Sequence, residues 1–339
     1  MDVLLWSGTG GNRSFTSLDM SPDFVWVKQR NVAFSTGHQI YDIVRGAGSE
    51  KELNSSGTGA EGAGNIDQYG WISSFDSNGF SVTAGPVGSD YVNASGYNYV
   101  AWCWDAGSST VSNTQGSITS TVRANATAGF SVVTYTGTGS NATVGHGLGV
   151  APGFIIVKAR SRADSWRVYH SALGATKYIT LESTAAAGTA STVWNNTAPT
   201  SSVFSIGTES AVNTNTATQV AYCFAPVVGY SSFGSYTGNG SADGPFVYTG
   251  FRPRWLLTKV SAGDTGSWRV YDAARNTYNA LDAELNPNSS GAEYTASNSF
   301  DFLSNGFKVR TSNINNNFSG ATFIYAAFAE MPFNYSRAR

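Results

Sequence analysis

The chain has 339 residues and a net charge of −2, and only 12% of its residues are charged. This charge balance excludes the basic surface of a nucleic-acid-binding protein, and no apolar run approaches the ~20 residues of a membrane span. Its length predicts more than one domain. Aromatic residues make up 13% of the chain and glycine accounts for 38 residues, a composition typical of many short strands separated by turns.

A first repeat is predicted at residues 1–107. Its opening strand starts at Met1, and the flank lacks the basic residues of a signal peptide, so the sequence predicts no secretion signal and no upstream attachment domain. After Pro22 an alternating strand places Phe24, Trp26 and Lys28 on one face. Further along, the Asn78-Gly79 step predicts a tight hairpin turn with two positive φ angles.

Within repeat 1, residues 46–65 form an excursion rich in glycine, serine and glutamate without periodicity. Residues 57–62 match the pattern G-x-G-x-x-G, but they follow no clear strand and open no apolar helix, so chance is the favoured explanation. The acids of this repeat could furnish a glycosidase pair by accident, and repeats 2 and 3 supply no equivalent cluster. These acids are Asp19, Asp23, Asp42, Glu50, Glu52 and Glu61.

Residues 108–128 lack aromatic residues and are predicted to be a linker rich in serine, threonine, glycine and asparagine. Two more repeats follow at residues 129–228 and 229–332. The run FSVVTYTGTGSN at 130–141 aligns on MDVLLWSGTGGN at 1–12, and APGFIIVKAR at 151–160 aligns on SPDFVWVKQR and RPRWLLTKVS. The segment SWRVY is identical at 165–169 and 267–271. Residues 333–339 are predicted to be a short C-terminal arm.

Each repeat therefore contains about 100 residues of short strands. We expect an all-β protein of three tandem β-sandwich or jelly-roll-like domains, each long enough to fold by itself. One or two helical turns are predicted at residues 278–285, before Asn286-Pro287, and little other helix.

No catalytic constellation is present in the sequence. Cys103 and Cys223 occupy the same position in two repeats, where the third has Ala327, which predicts two free core thiols and no disulfide. The three histidines lack metal-ligand spacing, and His146 is interpreted as a turn residue. The sequence thus predicts no enzyme activity, no metal and no cofactor.

Three lysines, Lys28, Lys158 and Lys259, recur at one position. They could be a shared anion or sugar contact, but strand-end lysines that snorkel or pair with a neighbour are the favoured interpretation. Trp166 and Trp268 could be ligand platforms, although packing in the core or between sheets is favoured because valine alternates with them.

Aromatic residues outside the shared strands are better candidates for ligand binding, because a common core does not explain them. We expect sugar rings to stack on such residues while Asn and Asp side chains bond the hydroxyl groups. The candidates are Tyr69, Tyr91, Tyr97, Trp194 and Tyr294.

Several long phrases, including SPDFVWVKQR, FDSNGFSV, YVAWCWDAG, GSYTGNGSADGPFVYTGFRPRWLL and FLSNGFKVRTS, resemble a repeat family of tailed-bacteriophage structural proteins, notably marine and cyanobacterial ones. Proteins of that family are commonly labelled tail fibres and are sometimes described as similar to concanavalin-like lectin sandwiches. The resemblance covers nearly the whole chain and implies a protein on the exterior of the virion, assembled in the host cytoplasm.

The resemblance implies a tail fibre or receptor-binding protein that adheres to host-surface polysaccharide. A capsid or tail decoration protein that binds other virion proteins is the alternative, and a polysaccharide-degrading enzyme is a third. By analogy with phage appendages we expect a homotrimer, without nucleic acid and without membrane insertion.

Overall fold

A computed structural model describes residues 1–31, 36–64, 67–296 and 298–330. Helix in these residues is confined to a 3₁₀ turn and three single-turn helices: Ser49–Lys51, then α1 Ser191–Trp194, α2 Ser210–Asn213 and α3 Ile314–Asn317. The prediction of an all-β fold is confirmed. The predicted arm at 333–339 lies outside the described residues.

Repeat 1 is a sandwich of two antiparallel sheets. Its strands are β1 Asp2–Ser7, β2 Arg13–Phe15, β3 Phe24–Gln29, β4 Gln39–Asp42, β5 Leu53–Asn54, β6 Trp71–Asp76, β7 Gly79–Thr83 and β8 Asn98–Trp104. The large sheet has the order β1-β8-β3-β4-β5, and the small sheet has the order β2-β7-β6. Because β1 and β8 are neighbours, the chain enters and leaves the repeat at one end of the large sheet.

Repeat 2 keeps this plan, and two strands between the repeats extend it. The strands are β9 Thr110–Asn113, β10 Ser120–Asn125, β11 Phe130–Thr136, β12 Ala142–Gly145, β13 Phe154–Ala159, β14 Arg167–His170, β15 Lys177–Thr180, β16 Gly188–Thr189, β17 Val203–Ile206 and β18 Thr218–Phe224. The large sheet has the order β16-β15-β14-β13-β18-β11-β10-β9, and β12 pairs with β17 in the small sheet.

Repeat 3 repeats the arrangement once more. Its strands are β19 Ser231–Thr237, β20 Phe246–Tyr248, β21 Pro253–Ala262, β22 Arg269–Asp272, β23 Phe300–Leu303, β24 Gly306–Val309 and β25 Thr322–Ala329. The sheets have the orders β19-β25-β21-β22 and β20-β24-β23. All three large sheets therefore place the last strand of the repeat between the first and the third.

The large sheets are apolar on both faces because alternate residues of each strand enter different cores. In β8, Tyr99 and Cys103 pack in a sandwich core between the two sheets of repeat 1. Val100, Trp102 and Trp104 point the other way, into a central core that receives residues from all three repeats. A strand buried on both faces reads as a continuous apolar run, as β8 does.

An aromatic triangle lies at the middle of the central core. Trp104, Phe224 and Phe328 occupy the same position in the three last strands, and their ring centroids are 5.4 to 5.9 Å apart. The three large sheets thus surround a pseudo-threefold axis. The expectation of self-sufficient domains is corrected on this point: each repeat has a sandwich core of its own, but the other face of its large sheet is covered by the other two repeats.

The segment 108–128 is not the surface linker that its composition predicts. Its strands β9 and β10 add to the large sheet of repeat 2, with Val122 opposite Val133 in the pairing of β10 with β11. Val122 and Ile118 are buried in the sandwich core of repeat 2. Small polar residues conceal β10, because the exposed Thr121 alternates with the buried Ser120 and Val122 and leaves one apolar residue to signal the inward face.

The predicted Asn78-Gly79 hairpin is present, and Asn305-Gly306 forms a second one in repeat 3, but neither has the predicted positive φ angles. Asp76 pairs with Gly79, and Leu303 pairs with Gly306, so each glycine follows the turn. Neither glycine nor the asparagine before it has a positive φ. A Cβ on Gly79 would lie 1.7 Å from the carbonyl oxygen of Phe15 in the neighbouring strand, so glycine allows the close approach of β2.

The predicted helix at residues 278–285 is wrong. The segment is irregular and makes single β-bridges, between Leu281 and Phe300 and between Leu285 and Val270. Its alternate apolar residues, Leu281, Ala283 and Leu285, are buried. Tertiary pairing along repeat 3 overrides the weak local preference for helix.

Candidate functional site

The recurrent lysines lie inside the protein and connect the repeats. Each Nζ donates hydrogen bonds of 2.8 to 3.2 Å to backbone carbonyls, which include at least one in the next repeat: Lys28 to Ser290, Lys158 to Thr58, and Lys259 to Thr184 and Ala185. Burial lowers the pKa of Lys28 and Lys158 to about 8 and that of Lys259 to about 7. These lysines hold the ring together and present no charge to a ligand.

A buried series of ionic contacts, here called an ionic chain, crosses the interface between repeats 1 and 2. Each interface between two repeats is called a seam. Tyr222 in repeat 2 donates to Asp42 in repeat 1 at 2.8 Å, and Asp42 pairs with the fully buried Arg45. Arg45 approaches Glu61 at 3.5 Å, and Glu61 in turn pairs with Arg160 of repeat 2. Both carboxylates of this series of contacts, Asp42 and Glu61, have a cationic partner, as burial requires.

The seam between repeats 1 and 3 contains the same five-member chain built from equivalent residues. Trp102 in repeat 1 donates to Asp272 in repeat 3 at 2.9 Å, and Arg275 lies 2.6 Å from that carboxylate. Arg275 also lies 3.0 Å from Glu293, which pairs in bidentate fashion with Arg30 at 2.8 and 2.9 Å. Two seams are therefore closed by the same chemistry.

The seam between repeats 2 and 3 keeps the backbone contact and replaces the ionic chain. Ala187 N donates to the carbonyl of Ser261 at 3.0 Å. In the other two seams Glu61 N donates to the carbonyl of Arg160 and Glu293 N donates to the carbonyl of Arg30. In this seam His170, Leu173 and Ala326 replace the equivalents of Asp42, Arg45 and Tyr222. His170 Nε2 donates to a carbonyl of repeat 3 at 2.9 Å. Burial lowers the pKa of His170 to about 4, so this seam is neutral.

Trp166 and Trp268 are buried in the central core, which confirms the packing interpretation. Both indoles also bond across a seam. Trp166 Nε1 donates to the carbonyls of Asn54 and Gly57 at 3.0 and 3.1 Å, and Trp268 Nε1 donates to the carbonyl of Thr180 at 2.9 Å. The identical SWRVY segments are therefore seam elements.

Three of the predicted ligand aromatics lie together in repeat 1. Tyr69, Tyr91 and Tyr97 are all partly exposed, and the rings of Tyr69 and Tyr91 are 5.5 Å apart at an interplanar angle of 43°. The Tyr91 hydroxyl donates to the carbonyl of Gly64 at 3.0 Å. Tyr97 packs against the sandwich core of repeat 1 and is not part of the ring pair.

The structure does not support the other two aromatic candidates in the same way. Trp194 is only 1% exposed, because the single-turn helix α1 directs it into the sandwich core of repeat 2, where its ring packs 5.9 Å from Tyr169. A sugar cannot stack on it, so this prediction is wrong. Tyr294 is 57% exposed and belongs to repeat 3, so it is not part of the Tyr69 and Tyr91 ring pair.

An acid-lined cleft lies beside the tyrosine pair. Its walls belong to repeat 1 and include Glu50, Lys51, Glu61, Gly62, Ala63 and Asp67. Gly64, whose carbonyl accepts a hydrogen bond from the Tyr91 hydroxyl, comes directly after Ala63 of this cleft. The G-x-G-x-x-G pattern falls here as well, but Gly62 has a positive φ and approaches the Glu50 carbonyl, which identifies it as a turn residue.

Glu52 is a buried carboxyl group next to the same loop. One oxygen accepts from Gly64 N at 3.2 Å, and the other has no hydrogen-bond partner among the described residues. Its counterpart in repeat 3, Glu284, binds Arg269 at 2.7 Å, whereas repeat 1 has Gln39 in place of that arginine. Burial without a cationic contact raises the pKa of Glu52 to about 7.

A second polar depression lies at the seam of repeats 1 and 3. It is lined by Arg30, Asn31, Asn98, Ala292, Glu293 and Thr295. Asn31 Oδ1 accepts from Asn98 N at 2.6 Å, while in repeat 2 Ser161 makes the equivalent bond to Thr218 N at 3.1 Å. A smaller side chain is therefore enough to bond the backbone N–H at this position of the fold. The exposed carboxamides of Asn31 and Asn98 in repeat 1 supply hydrogen-bonding groups beyond that need.

A candidate metal site is not assembled in the part of the chain that is described. In these residues no three His, Cys, Asp or Glu side chains form a cluster that could hold a metal ion. Cys103 and Cys223 are free and buried, which confirms the prediction of unpaired core thiols. No described helix has the length and apolar character needed to cross a membrane.

A family model described as "Domain of unknown function (DUF7483)" matches residues 1–332. No curated protein and no solved structure matches the chain. The match spans all three repeats and both strands of the connecting segment, which agrees with a central core to which each repeat contributes.

Proposed function

The chain belongs to the DUF7483 family, and we propose that it is a surface protein of a bacteriophage virion that adheres to host-surface glycan through repeat 1. The phage assignment rests on the resemblance of the repeat phrases to tail-fibre proteins. The adhesive role is supported by the site chemistry of repeat 1, and no chemical step is required of it.

The observation that carries the adhesive role is the Tyr69 and Tyr91 pair beside the cleft of Glu50 and Asp67. Partly exposed aromatic rings offer flat apolar surface to a pyranose ring, and neighbouring carboxylates accept hydrogen bonds from its hydroxyl groups.

Carbohydrate binding is tested by affinity electrophoresis through gels that contain purified bacterial capsular or lipopolysaccharide glycans. We expect wild-type protein to be retarded by at least one glycan and the variant Y69A/Y91A to migrate freely. The matched control is N31S/N98T, which copies the residues of repeat 2 into the seam depression and should remain retarded. Retardation of Y69A/Y91A equal to that of wild type would place the glycan elsewhere, and release of reducing ends would require an enzyme instead.

A decoration protein is the second candidate, and the closed pseudo-threefold ring favours it. Three equivalent repeats around one axis, joined by buried lysines and two ionic chains, make a rigid unit suited to a symmetric surface. Electron microscopy of antibody-labelled particles separates the two functions, because label on capsid faces contradicts the fibre and label at the tail periphery contradicts capsid decoration. Homotrimeric assembly stays a prediction, which mass measurement in solution checks.

A further inference from the structure

The first strand of each repeat forms one side of its large sheet, and in repeat 2 that side is covered. There β10 pairs antiparallel with β11, from Thr121 opposite Thr134 to Asn125 opposite Phe130. In repeat 1 the equivalent strand β1 is the last strand of its sheet within the described residues. The fold therefore has the same edge three times, covered by a strand in repeat 2 and without one among the described residues in repeats 1 and 3.

The open edge of β1 is protected only at its two ends, where Asp2 accepts a hydrogen bond from Val3 N and Arg13 donates to the carbonyl of Ser7. Its sequence DVLLWS contains no proline, lysine or glycine, and its pairing with β8 has no bulge. Leu5 is 37% exposed. Edge strands of this kind are templates for pairing with another chain.

The outward hydrogen-bonding groups of β1 can be assigned from the alternation of the ladder. Gly8 N donates toward the β8 side, to the carbonyl of Tyr97 at 2.7 Å. On the odd positions, Val3 N donates to Asp2 Oδ1 and the carbonyl of Ser7 accepts from Arg13, so these groups face away from β8. By the same period of two, the N–H and C=O of Leu5 face outward.

The charge beside this edge is reversed relative to the covered edge. In repeat 2, Arg123 of β10 stands opposite Val132, and its Nε lies 2.9 Å from Asp23 of repeat 1. The residue equivalent to Asp23 at the edge of β1 is Arg254 of repeat 3. Arg254 contacts Asp2 through Nη2, while its Nε is buried and has no hydrogen-bond partner among the described residues.

We propose that the edge of β1 receives an antiparallel extended segment of another protein chain, with an acidic residue opposite Val3 that pairs with Arg254. The covered edge of repeat 2 provides the geometry, and the unpartnered Nε specifies the charge. A second copy of β1 fits poorly, because placing its Asp2 opposite Val3 leaves only residues 1–4 of each strand paired. This interaction is separate from glycan binding and gives the protein a means of attachment by strand addition.

The test uses two fluorescent peptides derived from β10: residues 117–125 as they stand, SITSTVRAN, and the same peptide with R123E. Fluorescence anisotropy at low salt should show the R123E peptide binding the whole protein about tenfold more tightly than the native-sequence peptide. The protein variant L5P should abolish binding and still fold, because proline at this edge position removes only an outward N–H. Thermal unfolding followed by circular dichroism checks the fold.

A charge exchange makes the test specific. The variant D2S/R254D copies Ser131 and Asp23 from the covered edge, and it should reverse the preference in favour of the native-sequence peptide. Equal affinity for both peptides, or binding that survives L5P, overturns the proposal. Two other occupants have distinct signatures that also contradict it: a wild-type dimer that L5P converts to monomer indicates a second copy, and binding that appears only after removal of residues 331–339 indicates the chain's own segment.

Discussion

The indole of Trp102 in repeat 1 donates its Nε1 hydrogen to the buried carboxylate of Asp272 in repeat 3 at 2.9 Å. The contact closes the ring, since it joins the first repeat to the last across a seam without a direct chain connection. Its counterpart between repeats 2 and 1 is the hydroxyl of Tyr222 on Asp42 at 2.8 Å. One donor position on the last strand thus serves two seams, with a different side chain in each.

Trp102→Phe should lower the free energy of unfolding by about 2 kcal/mol more than Trp104→Phe does, because it leaves a buried carboxylate short of a donor. The matched control is suitable because Trp104 is equally buried but its Nε1 has no hydrogen-bond partner among the described residues. Guanidinium unfolding followed by far-UV circular dichroism measures both. Equal losses would mean that the indole contributes only its volume.

Glu52 should make the protein less stable as the pH rises from 4.5 to 8. The folded-state pKa of about 7 lies above the ordinary value of 4.5, so the stabilisation is present below 4.5 and is lost as the pH rises through 7. Glu52→Gln removes this titration. The free energy of unfolding of wild type, relative to that of the variant, should therefore fall by about 3 kcal/mol between pH 4.5 and pH 8. A constant difference in urea unfolding would contradict a buried, unpaired carboxyl.

Glu284 serves as the control for that experiment. Its carboxylate accepts hydrogen bonds from Arg269 at 2.7 Å and from the hydroxyl of Tyr271 at 2.5 Å, so it has the cationic partner that Glu52 lacks. Glu284→Gln should therefore destabilise the protein by about 3 kcal/mol at neutral pH, since it leaves a buried arginine without its partner. If Glu284→Gln lowered the free energy of unfolding no more than Glu52→Gln does at neutral pH, the proposed difference between a paired and an unpaired carboxyl group would be refuted.

Lys259 should contribute the opposite pH dependence. Burial lowers its pKa from 10.5 to about 7, so the unfolded chain binds an extra proton between these values and stability rises with pH. We expect wild type to gain about 3 kcal/mol relative to Lys259→Met between pH 7 and pH 9.5. Unfolding midpoints in urea at the two pH values measure the difference, and a gap that stays constant or narrows would contradict the lowered pKa.

Gly79→Ala should destabilise repeat 1 by about 3 kcal/mol, because the new Cβ would collide with the carbonyl oxygen of Phe15 and separate β2 from β7. Gly11→Ala is the matched control, since its Cβ would have nothing within 4 Å and its φ is not positive. Thermal unfolding of the two variants provides the comparison. Similar melting temperatures would show that β2 can move aside at little cost.

Residue patterns predicted the strands and the threefold repeat, because alternation and turn residues act locally. They failed at residues 108–128, where a strand carries mostly small polar residues, and at 278–285, where tertiary bridges replace a helix. They named Tyr69 and Tyr91 as separate ligand candidates by excluding the shared core, and only the structure shows that the two rings are neighbours. They misplaced Trp194 because α1 turns its ring inward. The ionic seams had a signal in the repeated segments YDIVR and YDAAR, whose Asp and Arg are three residues apart.

The sequence by itself determined that the protein is all-β, that it repeats three times, and that its cysteines are core residues. Only the tertiary structure decided that the repeats close around a common axis, that Lys28, Lys158 and Lys259 bind carbonyls of neighbouring repeats, and that β1 ends its sheet among the described residues. The physical reason is range: alternation fixes which residues are buried, but not which of two buried faces meets its own small sheet and which meets another repeat. That choice depends on contacts between residues more than 100 positions apart, such as Trp102 and Asp272.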